Sequence, residues 1–163
     1  MAKGSWIGVR GRGGFVGVLM AVSLGACGGA RGGAEGGFIG TWQGSGSATG
    51  TCDNGNEITL TLSANGTFTQ GVSGGLVWNG RYCTFRASDS GDVATGETPA
   101  TCMSPDASTG GMDITTYSTL TWTLSSPTEI AWDDSATVQF TANGATLFTC
   151  TVTGTTTLTK LSN

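Results

Sequence analysis

Apolar residues recur at every second position through much of residues 56–161, and no stretch there holds a helical period over three turns. This alternation is the strongest constraint on the fold, because a strand turns successive side chains to opposite faces. In NEITLTLS (56–63), Ile58, Leu60 and Leu62 share one face, and Thr59, Thr61 and Ser63 share the other. LTWTL (120–124), EIAW (129–132), TVQFT (137–141), TLFTCTV (146–152) and TTLTKL (156–161) read as further strands. Asn65-Gly66 and Asn143-Gly144 carry the residue types that tight hairpins require. Ser125-Ser126-Pro127-Thr128 breaks the chain between two runs. The expectation is an all-β antiparallel meander, as a small up-and-down barrel of about eight strands or as a β-sandwich. The barrel is preferred, because consecutive hairpins feed into it directly and closure removes exposed edges.

The first 37 residues follow different rules. Lys3, Arg10 and Arg12 precede an uncharged run, FVGVLMAVSLGA (15–26). That run is shorter than the ~20 residues a membrane-spanning helix needs. A basic start, a short apolar run and small residues before a cut site describe an export signal. Leu24-Gly25-Ala26-Cys27 resembles the bacterial lipobox. The resemblance implies cleavage before Cys27 and attachment of acyl chains such as palmitate to that cysteine. An ordinary secretory signal with an incidental cysteine is the alternative. Two or three chains anchor stably, since each buried CH₂ contributes ~0.8 kcal/mol. GGARGGAEGG (28–37) then reads as a flexible tether. Gly28, where an aspartate would imply retention at the inner membrane, implies the outer membrane by the same resemblance. The expected organisation is a signal peptide over 1–26, a lipidated Cys27 with its tether over 27–37, and one β domain over 38–163.

Beyond Cys27 four cysteines remain: Cys52, Cys83, Cys102 and Cys150. In an exported chain they are expected to form two disulfides, with three pairings open. No two of them stand at CxxC spacing and the chain has no histidine, so a zinc site is not expected. The absence of histidine also removes most general-base schemes. GVSGG (71–75) matches the nucleophile-elbow pattern, yet no helix or histidine accompanies Ser73, which reads as part of a turn. Asp133 and Asp134 follow Trp132 and read as a turn between EIAW and TVQFT. Asn54-Gly55 in CDNGNE (52–57) also reads as a turn, and GSGSATG (44–50) lacks the spacing of a phosphate cradle. Residues 88–113 show no strand pattern and hold Asp89, Asp92, Glu97, Asp106 and Asp113. They read as a solvated acidic loop stapled by Cys102, with a lid or a weak calcium site as the functional alternatives. Four basic residues after Cys27 (Arg31, Arg81, Arg86 and Lys160) face eleven acidic ones, which does not suit nucleic acid. No enzyme activity and no cofactor are expected.

Gly40-x-Trp42, within FIGTWQG (38–44), resembles the opening of the lipocalin-like barrels. The resemblance implies a tryptophan that plugs the closed end, under a basic side chain of the last strand, for which Lys160 is the candidate. A barrel of this size can hold a small apolar ligand or be filled by its own side chains. Trp78, Trp122 and Trp132 are the candidate wall residues. Two functional expectations follow for an envelope protein: binding of a small apolar ligand inside the barrel, or a structural or partner-binding role without a pocket.

Overall fold

The structure is a computed structural model that describes residues 35–106 and 110–163, with side chains from residue 37 onward. The lipobox Leu24-Gly25-Ala26-Cys27 lies outside the described residues, as does the tether up to residue 34. One helical turn, α1 (Glu35–Phe38), leads into nine strands. These are β1 (Gly40–Cys52), β2 (Glu57–Gln70), β3 (Leu76–Gly80), β4 (Thr84–Ser90), β5 (Val93–Gly96), β6 (Ala100–Pro105), β7 (Met112–Ser126), β8 (Glu129–Ala142) and β9 (Ala145–Ser162). Every pairing is antiparallel, in the order β5-β4-β3-β2-β1-β9-β8-β7-β6. A further pairing of residues 93–95 with 121–123 joins β5 to β7 and closes eight strands into a ring. β6 uses the earlier part of the same β7 edge, residues 112–117. The expected all-β meander and barrel-like closure are therefore present.

Several boundaries differ from the expectation. Asn65-Gly66 is not a hairpin turn: β2 runs straight through it, paired with β1 from Glu57 to Phe68. Gly66 serves close packing instead, because a Cβ there would lie 2.6 Å from both Trp78 Cζ2 and the Asn79 carbonyl oxygen. Asn143-Gly144 does form the β8–β9 turn, with φ of 51° and 78°. Gly55 turns at φ 82°, and its N–H donates to the Cys52 carbonyl between β1 and β2. EIAW and TVQFT are one strand, β8, so Asp133-Asp134 is not a turn. TLFTCTV and TTLTKL likewise merge into β9. Residues 88–113 are not one long loop, since they contain β5, β6, the end of β4 and the start of β7. Their inward residues are small (Ala94, Gly96 and Cys102), so hydropathy alternation does not mark them.

The register stacks the inward positions of neighbouring strands. Gly44, Gly46, Ala48, Gly50 and Cys52 of β1 face Leu158, Thr156, Gly154, Val152 and Cys150 of β9. β1 and β9 pass so closely that a Cβ at Gly44, Gly46 or Gly50 would collide with the carbonyl oxygens of Thr157, Thr155 or Thr151. The glycine-rich GSGSATG segment is thus a strand that another backbone approaches.

The core occupies one end of the ring. Phe38, Trp42, Phe68, Leu76, Trp78, Phe85, Leu120, Trp122, Ile130, Trp132 and Leu158 are all buried there. Their rings form a connected web: Phe68 lies 5.0 Å from Trp78 and 5.4 Å from Trp122, and Trp122 lies 5.4 Å from Trp132. Aromatic pairs of this geometry contribute ~0.5–1.5 kcal/mol each beyond area burial. Trp42 is fully buried, and its Nε1–H donates to the Phe38 carbonyl at 2.7 Å. Lys160 Nζ stands 5.3 Å from the Trp42 ring and donates to the Gly37 carbonyl at 3.3 Å. The entering chain, Trp42 and the last strand together plug this end.

Candidate functional site

The opposite end of the ring is built from the far halves of the long strands. A second apolar cluster lies there: Ala48, Cys52, Ala136, Val138, Cys150 and Val152, with Ile58, Leu60, Leu62, Tyr117, Phe140 and Phe148 half-buried around it. The Cys52–Cys150 disulfide joins β1 to β9 at directly opposed positions of this end. The second disulfide, Cys83–Cys102, ties the β3–β4 connection to β6. Among the three pairings left open by the sequence, the structure selects this one.

A cavity of about 960 Å³ opens at this end. Ala48, Leu60, Leu62, Ala136, Val138 and Val152 line it, and Trp78 and Trp132 reach it from the plugged end. Trp122 does not contribute, because it is wholly enclosed in the aromatic web. Two of the three candidate wall tryptophans thus meet the cavity. The cavity also opens sideways. β3 pairs with β2 only at residues 66–70, so among the described residues β2 carries a free edge over residues 57–65. Among the described residues, β6 has no partner on its outer edge either. Arg81, Tyr82 and Cys83 of the β3–β4 connection line the cavity together with residues of both edges.

The cavity lining holds many neutral polar side chains, among them Thr115, Tyr117 and Thr156, and two acidic ones, Asp113 and Asp134. Asp134 follows the inward parity of β8 (Ile130, Trp132, Asp134, Ala136, Val138), while Asp133 points outward and is exposed. Only 9% of Asp134 is exposed. Gly154 faces it and leaves room: a Cβ there would sit 3.0 Å from Asp134 Oδ1, 3.1 Å from Leu62 Cδ1 and 3.2 Å from Ala48 Cβ. Burial pushes the Asp134 carboxyl up to about 6, and the adjacent Asp133 charge adds to the shift. Burial, with the Asp134 charge, pushes the Tyr117 hydroxyl up to about 12. Burial and then Asp106 raise the Asp113 carboxyl as well. The Trp132 Nε1–H and Asp113 Oδ1 are both buried without a hydrogen-bond partner among the described residues. Arg81 is the one basic side chain on this lining, and its guanidinium lies 5.0 Å from the Tyr82 ring.

Sequence reasoning misses Asp134 as an inward residue. The signal is nevertheless present, since parity runs unbroken from Ile130 through Asp134 to Val138. Ser73 lies in the exposed turn between β2 and β3, as its glycine neighbours suggest. Among the described residues no three His, Cys, Asp or Glu side chains gather to hold a metal ion.

An eight-strand antiparallel ring, plugged at one end and hollow at the other, defines the class of this protein. It is similar to a solved structure of a protein of unknown function from the DUF3598 family of Nostoc punctiforme. The match has a TM-score of 0.41 and 12% sequence identity, over 78% of this chain and 49% of that one. This chain therefore spans about half the length of that protein. No family model matches the sequence, and no curated protein matches it.

Proposed function

We propose that this chain is a lipid-anchored protein of a bacterial envelope that takes a small, largely apolar ligand into the hollow end of its ring. The cavity carries this reading. Its volume lies within the ~300–1,000 Å³ range of small-molecule sites. Leu60 and Leu62 face it half-exposed, so a ligand that covers them gains apolar burial at ~25 cal/mol per Å². The lipobox-like Leu24-Gly25-Ala26-Cys27 supports the anchor, and two disulfides suit an oxidising compartment outside the cytoplasm.

Two measurements test the two halves. Intact mass of protein from its native membrane fraction should match residues 27–163 plus acyl chains, and Cys27→Ser should remove the acyl mass. An unacylated wild-type chain would sink the anchor. Decanol, a neutral apolar probe, should perturb the emission of Trp78 and Trp132 and saturate at one molecule per chain. Emission that does not respond, or that drifts without saturating, would sink the ligand.

The free edges of β2 and β6 favour a second reading. Unpaired backbone on both sides of a slot can accept an extended strand from a partner protein. That role would be seen as protection of the 57–65 amides from hydrogen exchange when a partner is present. Unchanged exchange there would count against it.

A further inference from the structure

Asp134 is a carboxyl without a counter-ion. It is nine-tenths buried, it lines the cavity, and no hydrogen bond or ion pair to it is formed among the described residues. Gly154 stands opposite it on β9, and the space above that glycine is bounded by Asp134 Oδ1, Leu62 and Ala48. A buried charge of this kind is strongly disfavoured unless something pairs with it. Among the described residues, the protein's own cations do not serve. Lys160 is committed to Gly37 and the Trp42 ring at the plugged end. Arg86 is exposed on β4, where inward positions are Phe85 and Ala87. Arg81 stands over Tyr82, which is itself exposed, at the sideways opening.

The other titratable groups facing this space reinforce the sign. Asp113 lies on β7 nearer the open end, Tyr117 lies between the two carboxyls, and Asp133 sits behind Asp134 on the outer face. Indole faces add to the preference for positive charge. Trp132 and Trp78 lie 5.7 Å apart at the inner end of the cavity, and indole rings attract cations that approach them.

We propose that the cavity selects amphiphilic cations: an aliphatic chain lies along Leu60, Leu62 and Val152, and an ammonium group pairs with Asp134. This inference rests on the ligand-binding reading above and names the chemical class of that ligand. Charge-assisted hydrogen bonds are roughly twice as strong as neutral ones.

The test compares three probes of equal chain length on the full folded chain at pH 7.5: decylamine, decanol and decanoate, read by tryptophan emission. The expected order is decylamine tightest, by about tenfold over decanol, with decanoate weakest. Asp134→Asn should abolish the preference, so that decylamine binds that variant no more tightly than decanol does, whereas Asp113→Asn should keep most of the preference. If decanol binds as tightly as decylamine, or decanoate binds best, the cation inference is overturned while the cavity stands. If none of the three binds, the ligand reading falls and takes the inference with it. Should Asp134→Asn fail to fold, the wild-type pH profile decides. Decylamine affinity should fall as pH drops from 8 to 5 while decanol affinity stays level, and a level profile for both would overturn the inference.

Discussion

Asp134 and Gly66 show how single residues set the energetics of this ring. The Asp134 carboxyl rises from 3.8 to about 6 in the folded protein, chiefly through burial. The folded state therefore binds more protons than the unfolded one between about pH 4 and 6. Stability falls as pH rises through that window and stays lower above it. Replacing Asp134 by Asn should remove the penalty. Water that enters the open cavity screens part of the charge, so the gain at pH 7 should be ~1–2 kcal/mol. Urea unfolding at pH 4 and pH 7 checks this: the variant and wild type should differ at pH 7 and converge at pH 4. A variant no more stable at pH 7 would mean that the carboxyl is already paired. Gly66 acts through space. Its hydrogen faces the Trp78 indole, and Gly66→Ala places a methyl 2.6 Å from Trp78 Cζ2. That overpacking should destabilise by ~1–3 kcal/mol. It should also alter near-ultraviolet circular dichroism, because Trp78 belongs to the aromatic web.

At the scale of elements, the two disulfides hold different things. Cys52–Cys150 closes a separation of 98 residues and joins β1 to β9, while Cys83–Cys102 closes 19 and holds β6 near the β3–β4 connection. In the chain-entropy treatment the longer loop gives the larger effect, ~4–5 kcal/mol against ~3. The double variant Cys52→Ala/Cys150→Ala should therefore lower the urea midpoint more than Cys83→Ala/Cys102→Ala. The reverse order would show that β6 matters more to stability than the β1–β9 seam.

The strands that sequence reading finds best are those with large apolar residues on one parity, such as β2, β7 and β9. Strands whose inward residues are small, β5 and β6, leave no hydropathy trace, and the acidic residues that flank them, Asp92, Glu97 and Asp106, imitate a loop. Asn-Gly pairs prove ambiguous for a physical reason. Glycine serves a left-handed turn at Gly144 and a close aromatic contact at Gly66, and the dipeptide alone does not distinguish them. Trp78, Trp122 and Trp132 read alike as large inward residues, and only the packing separates Trp122, enclosed in the aromatic web, from the two that reach the cavity. Asp134 was not legible as inward, because an acidic pair suits a turn better than a strand until parity is followed across it.

At the scale of the molecule, the two ends of the ring divide the work. Aromatic packing under Trp42 and Lys160 makes one end solid, and small inward residues such as Gly46, Ala48, Gly154 and Ala136 leave space toward the other. The described chain enters at the solid end through α1. The most direct measurement fills the hollow end from two walls. Decanol should be titrated by calorimetry into the wild type, Ala136→Trp and Leu62→Trp, each first shown to be folded by its circular dichroism. One saturable site per chain in the wild type, weakened at least about tenfold in both variants, is the expected result. Equal binding in all three chains, or no saturable binding in the wild type, would contradict a ligand site at the hollow end.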